Sequence, residues 1–573
     1  MPPEEGHRPL LKRSEAALSA AAPVLWSLAA ALGYLGLLNE LRPRAPLTVN
    51  RATRWALLCV PLPTPPPLLA LLALATALMC LRRSRLAGAA SVAVAALGCA
   101  LAAAGVGAAA PASALAVSLV YALAARGELA SITSFASLLA CAVCLTAAAR
   151  YLLFFAAPSR PFSDPSWAVA ELHLKVLHSL QPLSAAAYAA IPLAGAWGLL
   201  SPKLGERGES SPPRGDASRA RSLAVLACSM VLAAAANLLP YSPAANPHSV
   251  PVGVDVPHYE RFLAEVAKLG PAGAFVASPA RAGYLLLAYL VMLASGAQPG
   301  VVARLMPSLL LPAVVASSYL MVLRASGSRG LAALSSLLLA TSPLATAGVY
   351  GSFQANMMAL ALAYLQLALY FSSDLRVTLP AALLLSALCH LAHPWTALQI
   401  LGAVALLAVA RRGRREALLA VTMAAGVVVA DCVRSSLAPA GHGTAADVVG
   451  GYLNATLTRA LGNLLSLPRT MHFAVTTLYG GFMNYPLLAL ALAGLLLDRD
   501  ELSDLLSAWA AAAAIAYFST WSFASRALLN LPTHVMAARA VARLRGAHLW
   551  AAVSLSLSYY AMCVMNLVPP RAA

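Results

Sequence analysis

Residues 377–415 read VTLPAALLLSALCHLAHPWTALQILGAVALLAVARRGRR. Two uncharged apolar runs, 377–393 and 395–410, flank a turn carrying His390, His393, Pro394 and Trp395, and the second run stops at Arg411-Arg412-Gly413-Arg414-Arg415. Runs of about 17–25 apolar residues match the thickness of a bilayer core crossed by a helix. Neither run alternates with the period of two that a lipid-facing barrel strand needs. In lipid every backbone polar group must be satisfied internally, which leaves helices or closed barrels. The stretch therefore reads as a helical hairpin whose basic end stays in the cytoplasm.

The rest of the chain repeats that pattern. Of its 573 residues, 60% are hydrophobic and 10% charged, and mean hydropathy is +0.76. A soluble chain carries roughly 25% charged residues. Apolar runs lie at 16–38, 62–81, 86–108, 111–125, 130–156, 183–201 and 223–239, then at 303–323, 330–348 and 353–372. Past the hairpin they continue at 417–436, 476–497, 505–521, 527–542 and 547–567. The expectation is an all-α integral membrane protein of about 16–17 transmembrane helices. Its parts are an N-terminal transmembrane module (1–202), a cytoplasmic linker (203–221) and a C-terminal core (222–573). The linker is set by a polar run holding Glu206, Arg207, Pro212, Pro213, Arg214, Asp216 and Arg219.

Formal net charge is +18, from 39 Lys and Arg against 21 Asp and Glu. The excess sits in short loops, where cytoplasmic retention and anionic headgroups account for it. No basic–aromatic interleaving suggests nucleic acid. His7-Arg8 and Lys12-Arg13 ahead of the first run favour a cytoplasmic N-terminus in a multi-pass protein of the cell membrane. Counting crossings from there puts Arg82-Arg83-Ser84-Arg85, Arg126, Arg324, Arg329, Arg376, Arg411–Arg415 and Arg499 inside. Arg42, Arg44, Arg51 and Arg54 fall outside, which fits an interfacial helix or a different pairing of the first two spans. Most of the nine cysteines lie in apolar runs, where Cys141 and Cys144 read as small residues at a helix contact.

One long stretch is too polar for the bilayer: residues 241–280, YSPAANPHSVPVGVDVPHYERFLAEVAKLGPAGAFVASPA. It reads as a large extracytoplasmic loop with an amphipathic surface helix at Tyr259–Lys268, followed by a short apolar segment, 281–297, that does not cross. In Gly253-Val254-Asp255-Val256-Pro257-His258-Tyr259-Glu260, a carboxylate at the mouth of a span can accept a proton from a hydroxyl or ligate a divalent metal. Asp255, His258 and Glu260 are the candidate metal ligands; the alternative is an ordinary solvated loop. His390 and His393, at i and i+3, are expected on one helix face, suited to phosphate, metal or proton transfer, or simply to a capped helix end with an interfacial Trp395. Arg526, in Ser525-Arg526-Ala527-Leu528-Leu529-Asn530-Leu531-Pro532, can clamp a phosphate or snorkel to headgroups. Tyr350, Gln354 and Asn356 can hydrogen-bond a sugar or cap the helix they begin. Asp431 and Arg434 read as an ion pair, and Asn454-Ala455-Thr456 as a glycosylatable triplet in an outer loop. The Asp255 loop, Tyr350–Asn356, His390–Trp395 and Trp521–Asn530 all fall on the outer side, opposite the basic loops.

With those residues in view, the 222–573 part resembles the GT-C superfamily of polytopic glycosyltransferases that use polyprenyl-phosphate-linked sugars. The resemblance rests on the outer loop with Gly253-Val254-Asp255-Val256-Pro257-His258-Tyr259 and on the apolar segment ending near Pro299-Gly300. It rests also on the span entered through Val302-Ala303-Arg304-Leu305-Met306-Pro307-Ser308 and on Leu338-Leu339-Ala340-Thr341-Ser342-Pro343-Leu344 before an outward turn. The His390–Thr396 turn and Arg526…Pro532 look like outer-face elements of archaeal and bacterial members. The resemblance implies sugar transfer at the extracytoplasmic face, Asp255 as catalytic acid residue, and a lipid-linked sugar donor among membrane lipids as partners. It implies that His258, Tyr259, Tyr350, Gln354, Asn356, His390, His393 and Arg526 bind substrate. The chain departs from the family in lacking a second acidic residue beside Asp255 and any WWDYG-type signature. The reading from another class is a multi-pass transporter, and a third is an inactive membrane scaffold. Transporters show repeats and mid-span polar residues, and no repeat is evident here.

The topology has a direct check. In a background without native cysteines, a membrane-impermeant thiol reagent applied from outside modifies Ser249→Cys and spares Arg412→Cys. The opposite labelling overturns this orientation.

Overall fold

The structure is a computed structural model. It describes residues 217–439 apart from 244–245, 247–249, 254 and 373, then 485–514 apart from 498–499, and 529–544. It also describes short helical stretches at 92–98 and 191–199 and isolated positions elsewhere. The chain divides into two compact units, Met1–Gln181 with Leu544–Ser558, and Pro182–Arg543 with Tyr559–Ala573. All the candidate site residues belong to the second unit. Most of the first six expected spans, most of the 203–221 linker, Cys141, Cys144, the Asn454 triplet and Arg526 lie outside the described residues.

All regular structure among the described residues is helical. Helix α1 (Arg219–Leu238) starts behind Ser218, whose hydroxyl accepts the Arg221 amide at 3.4 Å. Next come α2 (Val256–Leu269), the short α3 (Gly273–Ala277) and α4 (Ala282–Ser295). Then α5 (Pro299–Ser326) is followed by α6 (Arg329–Ala340), α7 (Pro343–Gly351) and α8 (Gln354–Tyr370). The hairpin expected at 377–410 is α9 (Leu375–Ala392) and α10 (Pro394–Arg411), and α11 (Arg414–Leu437) succeeds it. The described C-terminal helices are α12 (Tyr485–Leu497), α13 (Glu501–Ala512) and α14 (Thr533–Val541). Asp374 and Asp500 cap α9 and α13 by accepting the amides of Arg376 and Ser503, at 2.9 and 2.7 Å.

Among the described residues, five helical segments are long and apolar enough to cross a membrane: Arg219–Tyr241, α5, α9, α10 and α11. The protein is an all-α membrane protein in this sense. The apolar window of α5 is 56% buried, against 28% and 22% for those of α1 and α11. α5 is accordingly the central post, packed on α8, α1, α6 and α2, while α1 and α11 turn most of their apolar surface outward. α9 packs between α8 and α11, α10 against α11 and α13, and α12 against α14.

Helix α2 lies in the polar 241–280 stretch, starting three residues earlier than the helix expected from Tyr259. Its buried residues, Val256, Tyr259, Leu263 and Val266, recur at helical spacing and form one apolar stripe. The run 330–348, read as one span, is two helices. Ser342 is extended (φ −84°, ψ 167°), as a residue before proline tends to be, and Pro343 opens α7. The Thr341 and Ser342 hydroxyls bond back to carbonyls of α6, at 2.8 Å to Leu337 and 2.7 Å to Leu339, so the break leaves little unsatisfied.

The α9–α11 contact depends on Gly426. A Cβ there would collide with the Leu383 carbonyl and come within 3.0 Å of the Ser386 Cβ. On Gly402 it would meet only the Ala512 Cβ, at 3.9 Å. Gly426→Ala is expected to destabilise the protein by about 1–3 kcal/mol, the usual range for overpacking. Gly402→Ala leaves stability unchanged or slightly raised. Thermal unfolding of both variants in one detergent measures the difference.

Candidate functional site

The loop before Asp255 is tied to the end of α1. The Val252 amide donates to the Tyr241 hydroxyl at 2.8 Å, and that hydroxyl donates to the Val252 carbonyl at 3.2 Å. Asn246 makes a second clasp: Val250 N–H to its Oδ1 at 2.9 Å, and its Nδ2 to the Val250 carbonyl at 2.7 Å. Gly253 then takes φ +120°. A Cβ there would lie 2.9 Å from the Val349 carbonyl and 3.0 Å from the Ser352 Cβ, so only glycine lets the loop run against the end of α7. Asp255 is the residue immediately before α2. Its carbonyl accepts the amides of His258 and Tyr259, both at 3.1 Å, but its carboxylate makes no capping bond. Aspartate is a favoured capping side chain; here the carboxylate faces a pocket instead.

That pocket is lined by Asp255, Tyr259, Arg281, Phe353, Asn356 and His393. The Arg281 guanidinium stands 3.9 Å from the Asp255 carboxylate and 5.2 Å over the Tyr259 ring. At 3.9 Å it is an ion pair without a hydrogen bond. Tyr259 is buried and packs edge-on against Tyr284, with ring centroids 5.0 Å apart. The Tyr284 hydroxyl donates to Gln354 Oε1, and Gln354 Nε2 donates to the Ala303 carbonyl at 2.7 Å and to Ser352 Oγ at 2.8 Å. Gln354 thus frames the wall, joining α4, α5 and α8, and is not among the lining residues.

His393 reaches the pocket because it has left the helix. Its backbone is extended (φ −157°, ψ 99°) between α9 and α10, and its amide closes α9 on the Cys389 carbonyl at 2.8 Å. Pro394 holds that extension. The imidazole is fixed by a ring of buried polar groups. Thr396 Oγ1 donates to Asn356 Oδ1 at 2.6 Å and stands 2.8 Å from His393 Nδ1. Asn356 Nδ2 donates to Asn530 Oδ1 at 2.8 Å, and Asn530 Nδ2 donates to Thr396 Oγ1 and Gln399 Oε1, both at 3.2 Å. A threonine hydroxyl has one proton. Since it goes to Asn356, His393 Nδ1 must be the donor toward Thr396.

His390 goes elsewhere. The expectation that it shares a face with His393 fails because His393 is no longer helical. His390 is still in α9 and turns to α11, where its Nε2 is 3.6 Å from Asp431, and Asp431 is paired with Arg434 as expected. The metal expectation at Asp255, His258 and Glu260 is also corrected. Glu260 is bound to Arg304 at 2.7 Å, and His258 is exposed. Asp255 faces the pocket and Arg281 while His258 is not among the lining residues, and among the described residues no cluster of His, Cys, Asp and Glu is arranged for a metal ion. Tyr350 belongs to α7, but its side chain lies outside the described ones, as does Arg526.

Sequence reasoning missed Arg281, which looked like the first residue of an apolar segment. The available signal was a cation at the end of the polar stretch that carries Asp255. It also missed Thr396 and Asn530, which lay within the outer-face motifs but gained a role only through Asn356.

No family model, curated protein or solved structure matches the chain. The chemistry of the site therefore rests on its geometry. Thr396→Val removes one donor and leaves Asn530 and His393 without their shared partner inside the bundle. It is expected to cost about 1–3 kcal/mol, the range for an unsatisfied buried polar group. Thr396→Ser keeps the hydroxyl and most of the stability, and thermal unfolding separates the two.

Proposed function

We propose that the chain is a membrane glycosyltransferase, moving a sugar from a polyprenyl-phosphate donor to an acceptor hydroxyl at the face that carries the 241–280 loop. The observation that supports it is the convergence of Asp255, Arg281 and His393, from three separate segments, on one pocket walled by Tyr259 and Phe353. Sugar transfer needs what this set offers. A carboxylate not engaged in capping can take the proton of the attacking hydroxyl. A guanidinium can hold the departing phosphate bidentately, and an imidazole beside it can add a further charge-assisted bond. The hydroxyl oxygen bonds to the anomeric carbon, the anomeric carbon–phosphate oxygen bond breaks, and polyprenyl phosphate leaves with the electron pair. Much of the acceleration comes from stabilising that leaving phosphate.

Arg281 takes the part expected of His390. Its ion pair with Asp255 and its stack on Tyr259 hold it beside the carboxylate. A phosphate arriving at Arg281 would compete for that pair and leave Asp255 to the acceptor. The reading carries with it the GT-C-like arrangement of residues 222–573, a multi-pass location in the cell membrane and a cytoplasmic N-terminus.

The test is transfer from a polyprenyl-phosphate sugar in proteoliposomes. Asp255→Asn keeps size and removes the base, and turnover is expected to fall by about 10²–10⁴-fold with thermal stability retained. Arg281→Lys keeps charge but not the planar fork, so donor binding weakens while the protein stays folded. Turnover by Asp255→Asn at the wild-type level removes Asp255 from the mechanism. Uptake of a solute without any transfer replaces this reading by the transporter.

A further inference from the structure

A second concentration of charge lies at the other end of the bundle. Helix α8 begins at the pocket with Asn356 and ends at Tyr370, and around Tyr370 gather the start of α9, the α10–α11 turn and the start of α13. Most of the acidic groups there have internal partners. Glu416 accepts the Tyr370 hydroxyl at 3.1 Å and lies 3.7 Å from Arg411. Asp504 is held by Arg411 at 2.8 Å, and Asp500 by Arg539 at 2.9 Å. Asp374 caps its own helix. Arg415 is also engaged, donating to the Tyr370 and Ser372 carbonyls.

Three guanidiniums stand outside this arrangement. Arg376, Arg412 and Arg414 are exposed, with no side-chain hydrogen bond or ion pair among the described residues. Two exposed carboxylates, Asp374 before α9 and Glu501 on α13, are likewise without an ion pair among those residues. Arg412 carries an independent mark. It closes α10 in the left-handed region (φ 52°, ψ 33°), the conformation that favours glycine. The neighbouring glycine is one residue further on, at 413, where a Cβ would collide with the Glu416 carboxylate. An arginine thus occupies the left-handed position at a conformational cost that glycine would not bear, which calls for a role for its side chain.

The surroundings specify what meets these groups. The helices that carry them expose apolar faces: Val377 and Leu384 on α9, Val409 on α10, Leu418 and Val421 on α11. A guanidinium at the polar end of a lipid-facing helix lies at the depth of lipid phosphates. A free anion could use the charge but not the apolar surface next to it. We propose that Arg376, Arg412 and Arg414 form a binding site for anionic phospholipid, the phosphates on the guanidiniums and the acyl chains along the exposed faces of α9, α10 and α11. The site does not depend on the reading of the Asp255 pocket.

The experiment uses the full chain in nanodiscs of phosphatidylcholine with or without phosphatidylglycerol. The readouts are the ratio of the two lipids retained in native mass spectrometry and the Tm. Wild type is expected to retain phosphatidylglycerol preferentially and to unfold at a higher temperature when it is present. Each guanidinium removed weakens that preference about fivefold, the usual contribution of one basic residue near an anionic surface. Arg412→Gly is the sharpest variant, because it removes the charge and relieves the backbone. Its preference for phosphatidylglycerol should fall while its Tm in pure phosphatidylcholine holds or rises. The combined variant R376Q/R412G/R414Q should lose the preference, and Arg412→Gly alone decides the matter if that variant does not fold. Wild-type preference in Arg412→Gly overturns the proposal. So does an equal rise in Tm when inorganic phosphate replaces phosphatidylglycerol, which would mark a site for a free anion.

Discussion

Inside hydrocarbon, an amide finds no water, so a buried side-chain amide in this bundle has to be answered by another part of the chain. That constraint accounts for the buried amides. Asn237 Nδ2 reaches from α1 to the Arg304 carbonyl at 2.8 Å and to Ser308 Oγ at 2.9 Å on α5. Gln366 Nε2 reaches from α8 to Ser386 Oγ on α9 at 2.6 Å. Gln354 joins three helices, and Asn356 joins α8, α10 and the turn before α14. Helices that bury only Ala and Leu against one another could slide or rotate at little cost. Each of these bonds fixes a register, because a slip of one residue would leave a donor unanswered in a low dielectric.

The two ends of the bundle meet the same constraint differently. At the pocket end, helices are interrupted: α7 gives way to α8 at Ser352 and Phe353, and α9 to α10 at His393 and Pro394. Irregular backbone at the edge of a membrane protein is tolerated where protein surrounds it. It also turns side chains inward that a continuous helix would direct sideways, which is how His393 and Asn356 come to face Asp255. At the other end the turns are held by ion pairs such as Arg411–Asp504. Those pairs leave the acids largely neutralised and the outermost arginines exposed.

A mid-bundle contact shows how closely the interior is filled. Ser318 on α5 lies 2.9 Å from His534 Nε2 on α14, and the Tyr364 ring stands edge-on to that imidazole at 5.7 Å. Trp509 on α13 closes the cluster against Tyr364, also at 5.7 Å. None of these residues stood out in the sequence, since a serine, a histidine and two aromatics spread over four apolar runs have no local signature. Polarity within a span becomes informative only with its partner in view.

Local pattern was enough for the class of fold and, among the described residues, for the limits of helices such as α8 to α10, because apolar length, basic flanks and proline positions are properties of short stretches. The 377–410 hairpin became α9 and α10 with its break at His393-Pro394, and the polar 241–280 stretch held the amphipathic helix that its spacing predicts. Scarcity of charge and hydrogen-bonding groups in so apolar a chain also singled out Asp255, Asn356 and His393. Packing between distant helices settled the rest. Whether Glu260 serves a metal or Arg304, and whether His390 joins His393 or Asp431, depends on which helix lies opposite. Arg281 entered the site by the same route, through a fold that returns the end of the loop to its beginning. A side chain's chemistry can be read from its type, but its partner is set by contacts between helices far apart in sequence, and period and composition do not encode that.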